Sequence, residues 1–108
     1  MKMKTLALLT VLTGSYAAGV SAKGSIIEGA IAGFECGDNC YLTVTVANGQ
    51  ERTGLCTAPL CQKWNENTSM PAKFKGKKAR ITVNKGKQYD DAGNVAGEMD
   101  AFSQIEIR

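Results

Sequence analysis

Four cysteines in two close pairs, Cys36/Cys40 and Cys56/Cys61, stand at the two ends of a single strand–turn–strand pattern. Cys40–Val46 reads CYLTVTV, with Leu42, Val44 and Val46 on the face of Cys40 and Tyr41, Thr43 and Thr45 on the other. This period of two, rich in β-branched residues, is a half-buried strand. Asn48-Gly49 follows, a short-range hairpin signal because both residues tolerate positive φ. Glu51–Cys56 returns as the partner strand.

The chemistry of the cysteines depends on compartment. The chain opens MKMKTLALLTVLTGSYAAGVSA: Lys2 and Lys4, then an apolar run from Thr5 to Leu12, then Val20-Ser21-Ala22. Charge, short apolar run and small residues in that order are the layout of a secretory signal peptide, with cleavage expected after Ala22. The mature chain is then Lys23–Arg108; removing 22 residues from 108 leaves 86, enough for one small domain with a modest core. The net charge of +3 falls to +1 without Lys2 and Lys4, so the basic balance gives no strong argument for a polyanion. No later stretch approaches the roughly 20 apolar residues of a membrane helix. The expected location is periplasmic or secreted.

Export favours disulfides over free thiols. Four cysteines allow three connectivities. A two-residue turn at Asn48-Gly49 opposes Ala47 to Gln50, and counting outward opposes Tyr41 to Cys56. Cys40 and Cys56 then point to opposite faces, which disfavours a bond between them. The pattern Cys36–Cys56 with Cys40–Cys61 is not excluded by that count. The local pairs Cys36–Cys40 and Cys56–Cys61 are expected. The alternatives are an all-cysteine zinc site, since C-x3-C fits metal-ligand spacing, and a thiol–disulfide redox protein. Neither pair has the C-x-x-C spacing of a dithiol oxidoreductase, and no histidine is present.

Around the hairpin, Ser25–Phe34 carries Ile26, Ile27, Ile31 and Phe34 among Gly29 and Gly33, a first strand with room for a bulge. Thr57–Gly76 lacks alternation. Thr57 is placed to cap a short helix through about Trp64, and Pro71 to open a brief turn ending at Gly76. Lys77–Asn84 alternates Ala79, Ile81 and Val83 inward against Lys78, Arg80 and Thr82. Met99–Ile107 alternates Met99, Ala101, Ile105 and Ile107 inward. The residues between read as a long loop or an extra hairpin turning at Gly93-Asn94.

Three strands, a helical connector and two strands give an all-β class: a small five-stranded OB-fold-like Greek-key barrel, disulfide-stapled, with its helix between strands 3 and 4. An open sheet with one helix across it is the alternative fold. In layout the mature chain resembles small exported bacterial OB-fold-like proteins with paired cysteines. The resemblance carries no active residues with it.

Candidate sites are few. Trp64 near Asn65 and Asn67 is read either as a sugar-stacking residue or, preferably, as a core cap. Asp38 and Asn39 top the Cys36–Cys40 loop and could be presented to a ligand. Lys78 and Arg80 belong to a basic run (73, 75, 77, 78, 80, 85, 87) that reads as a solvated strand face. Asp90, Asp91, Asn94, Glu98 and Asp100 are oxygen-rich, but their spacing does not match an EF-hand calcium loop. A glycosidase pair among Asp90, Asp91 and Glu98 would need a cleft that so short a chain does not supply. No nucleophile–base set is visible and no cofactor is expected. The sequence therefore points to an exported, non-enzymatic binding or structural module of the bacterial cell envelope. Its expected partner is an envelope saccharide, an anionic polymer or a protein, not nucleic acid. The binding surface is expected on the open barrel face, the Trp64 connector and the 85–98 loop.

Overall fold

Five alternating segments become five strands: β1 (Ser25–Cys36), β2 (Cys40–Val46), β3 (Glu51–Cys56), β4 (Lys78–Tyr89) and β5 (Val95–Ile107). A short helix, α1 (Cys61–Asn67), joins β3 to β4. The computed structural model describes residues 24–108. The expected leader, with its cut after Ala22, lies outside the described residues.

The strands close into a barrel in the order β1-β2-β3-β5-β4. All pairings are antiparallel except β3 with β5. This is the OB-type arrangement expected, with the helix where that fold places it. β1 serves two neighbours: Ser25–Ala30 pairs with β4 and Gly29–Cys36 with β2. Its register shifts between Ile31 and Gly33, the bulge its glycines suggested. The core is built from Ile31, Leu42, Val44, Ile81, Val83 and Phe102, and α1 adds Cys61 and Trp64 to it.

Four details correct or sharpen the sequence reading. The β2–β3 turn holds three residues, not two. The amide of Val46 donates to the Gln50 carbonyl, and Tyr41 faces Leu55 rather than Cys56. Gly49 takes φ of 88°, the left-handed residue that a three-residue loop places before its second strand. Second, Thr57 does not cap α1. Its amide and hydroxyl both donate to the Phe102 carbonyl, and the helix starts after Pro59, at Cys61.

Third, β4 and β5 run on past Asn84 and before Met99 into a two-stranded arm, turning over Asp90–Asn94. Of the two alternatives for this stretch, a long loop or an extra hairpin, the hairpin is the one formed. Fourth, the alternation of β5 is broken. Thr82 faces Gln104 but Val83 faces Phe102, leaving Ser103 as the extra residue. That bulge turns Phe102 into the core at 0% exposure. Met99 and Ala101 fall on the other face, where Ala101 is still buried.

Candidate functional site

The cysteine chemistry is decided by pairing. Cys36 is bonded to Cys40 and Cys56 to Cys61, and none of the four is free. With all four sulfurs paired, no thiolate is free in this structure to ligate zinc. The two bonds differ in access: Cys36 and Cys40 are half-buried, whereas Cys56 and Cys61 are fully buried.

The sequence-nominated residues separate. Trp64 is 4% exposed, its ring edge-on to Phe34 at 5.8 Å and tilted against Phe74 at 4.9 Å. It caps the core and offers no indole face for stacking. Asn39 is engaged by protein. Its Nδ2 donates to the Tyr89 carbonyl at 2.8 Å, and its Oδ1 accepts the Tyr89 amide at 3.0 Å. The amide thereby mimics a strand neighbour and ties the disulfide turn to the arm. Asp38 is exposed beside it. Lys78 and Arg80 are both exposed but serve different depressions: Lys78 lies with Glu28 and Arg108, Arg80 with Ile26 and Gln104.

The outer face of β2–β3, where OB domains commonly receive ligands, is partly covered by the β4–β5 arm. Gln88 donates to the Tyr41 hydroxyl at 3.1 Å, and Leu55 is buried beneath Gly86. What remains open there is a threonine patch in which the Thr43 and Thr53 hydroxyls bond each other at 2.8 Å. At the arm's tip, Asp90 Oδ1 accepts the amides of Ala92 and Asn94, so that carboxylate stabilises its own turn. Asp100 is likewise paired, with Arg52 at 3.0 Å and Lys85 at 3.1 Å. Hydrogen bonds from Arg52 and then Lys85 hold its carboxyl below the usual carboxylate range. Among the described residues no cluster of three or more His, Cys, Asp or Glu is arranged to hold a metal ion. None of the described helices is long and apolar enough to cross a membrane.

The open surface with mixed chemistry lies elsewhere, on the outer face of β1–β4–β5. One row across the three strands is Ile26, Thr82, Gln104; the next is Glu28, Arg80, Glu106. All of these except Glu28 line an open depression of about 520 Å³, which Pro59 and Leu60 of the connector also border. A second depression, of about 460 Å³, shares Ile26, Thr82 and Gln104 and runs on to Asn84 and Ser103. Ile26 is 50% exposed on this face, and the Thr82 hydroxyl lies 3.4 Å from Gln104 Oε1. Sequence reasoning nominated Arg80 here but passed over Ile26 and Gln104. The signal was present: Ile26 and Ile27 are adjacent, so a strand must turn one of them outward.

Compared with known proteins, the chain matches no family model, no curated protein and no solved structure.

Proposed function

We propose that the protein is an exported, non-enzymatic binding module of a bacterial cell envelope, and that it receives an extended saccharide along the β1–β4–β5 trough. The observation that carries this reading is the row Ile26–Thr82–Gln104 beside Arg80: an exposed apolar floor next to a hydroxyl, an amide and a guanidinium. Sugar rings present one apolar face and a rim of hydroxyls, and such a strip meets both. The trough is open and shallow, which suits a polymer lying across it better than a small enclosed ligand. Glu28 and Glu106 flank Arg80 on both neighbouring strands, with Glu28 also 3.9 Å from Arg108, so cations and carboxylates are interspersed here and a polyanion held by field alone is the weaker reading. Nucleic acid is not the proposed partner, because among the described residues no row of exposed aromatic rings offers a stacking platform. Export rests on the leader at 1–22 and agrees with the use of cysteine as disulfides.

The test is affinity electrophoresis or titration with soluble envelope polysaccharide. Wild-type protein is expected to be retarded, and Arg80→Ala and Gln104→Ala each to lose most of that retardation while keeping the native circular dichroism. A wild-type protein that migrates freely, or variants that bind as it does, would refute the trough.

A further inference from the structure

Cys40 has a cysteine on each side of it in one row of the sheet. On β1 its partner is Cys36, to which it is bonded. On β3 the ladder pairs Tyr41 with Leu55, and one step further the same register brings Cys40 level with Cys56. Directly opposed residues of an antiparallel pair point to the same face with their Cβ atoms about 5 Å apart, close to what a disulfide spans. The two positions also line a common depression of about 210 Å³ with Thr57, Asn65 and Lys87. The two-residue turn read from the sequence put these residues on opposite faces; the three-residue turn puts them on one.

We propose that Cys40 is an exchange position that carries reducing equivalents from the accessible disulfide to the buried one. A dithiol reductant reduces Cys36–Cys40, is itself oxidised to a disulfide, and leaves two thiols. The Cys40 thiolate then attacks Cys56 Sγ. The Cys40–Cys56 bond forms, the Cys56–Cys61 bond breaks, and Cys61 leaves as a thiolate that takes up a proton. One disulfide and the thiols of Cys36 and Cys61 result, so electrons balance within the chain after the first step. The access difference gives the step a purpose. Cys56 and Cys61 are 2% and 0% exposed, so a reductant in solution cannot seat on them, whereas Cys40 stands beside Cys56 from within. This exchange needs no ligand in the β1–β4–β5 trough and stands independently of it.

The test begins with the full wild-type chain, briefly reduced with dithiothreitol, quenched in acid, alkylated and digested with trypsin. Cleavage after Arg52 and Lys63 separates Cys36 and Cys40 from Cys56 and Cys61. The expected product has its alkyl groups on Cys36 and Cys61 and its two peptides linked through Cys40–Cys56. Alkylation of Cys36 and Cys40 alone, with the second peptide still closed on itself, overturns the proposal. Two variants of native circular dichroism, air-oxidised, provide the second reading. Cys36→Ser/Cys61→Ser keeps only the opposed pair and is expected to show no titratable thiol. Cys40→Ser/Cys61→Ser keeps positions two strands apart and is expected to retain both thiols. The same thiol count in both variants would also overturn it.

Discussion

Gly54 lies under the ring that closes the core. A Cβ at that position would stand 2.7 Å from Cε1 of Phe102, a ring that is fully buried. Gly54→Ala is expected to cost about 1–3 kcal/mol through overpacking, read as a lower urea midpoint at unchanged slope. Trp64→Ala acts in the opposite sense by emptying the space between Phe34 and Phe74, at about 3–5 kcal/mol. At roughly 0.05–0.15 kcal/mol per residue a domain of this length holds on the order of 4–13 kcal/mol, so this one change can take a large share of the whole. Loss of the cooperative thermal transition is the measurement; retained stability would contradict the core position. Asp100 gives the pH-dependent case. Its carboxyl is depressed first by the Arg52 hydrogen bond and then by Lys85. A depressed carboxylate contributes stability that is present above its unfolded value, near 3.9, and is lost as pH falls through the lower folded value. Asp100→Asn is therefore expected to lower stability at neutral pH and to flatten the decline below about pH 4. Chemical denaturation at neutral and acid pH checks it: an equally steep acid decline in the variant would contradict the assignment. Trp64 and the outward Lys78 and Arg80 were legible from burial habit and alternation. Phe102 was not, because a bulge is a change of parity that no single side chain announces.

At the scale of elements, the arm formed by the far ends of β4 and β5 has its own ladder and is tied to the barrel by side chains. Asn39 gives the Tyr89 backbone both a donor and an acceptor, and Gln88 adds a bond to Tyr41. Asn39→Ala removes the paired bonds at a half-exposed site, at about 1 kcal/mol or slightly more. The larger effect is local: the Tyr89 amide, bonded to Asn39 rather than to the ladder, is expected to exchange with deuterium much faster, while core amides such as Val44 and Ile81 slow or quicken only with global stability. Unchanged exchange at Tyr89 would show that the arm is held by its own strands. The same region marks how far local sequence signals reach. β2 and β3 were readable to the residue, since alternation and a turn dipeptide bound them on both sides. Their register was not, because Asn48-Gly49 suits a two-residue turn and a three-residue turn with a left-handed glycine alike. That single residue decides which side chains oppose, and with them whether Cys40 can meet Cys56. Nor was the Arg80 trough readable as a unit. Ile26, Arg80 and Gln104 are far apart in sequence and meet only through pairing of β1, β4 and β5.

For the whole molecule, closure rests on a short parallel seam between β3 and β5, Leu55 with Ala101 and Cys56 with Phe102. Thr57 extends it by two bonds to the Phe102 carbonyl, and the Arg52–Asp100 pair flanks it. Cys56 is thus a seam residue as well as a disulfide partner, and its bond to Cys61 fixes the start of α1 against the barrel. Cys36–Cys40 closes a turn that β1–β2 pairing and Asn39 already hold. The loops are of similar length, so chain entropy assigns each bond about 2 kcal/mol. On that term alone either loss lowers the melting temperature by roughly 8–16 °C for a domain of this size. Packing breaks the tie. Cys56→Ala/Cys61→Ala also removes two fully buried sulfurs and slackens the seam, whereas Cys36→Ala/Cys40→Ala empties a half-exposed site. Thermal scans of the two double variants are therefore expected to show a clearly larger fall for the buried pair. Equal falls would mean that loop entropy is the whole contribution and that the seam holds without its disulfide.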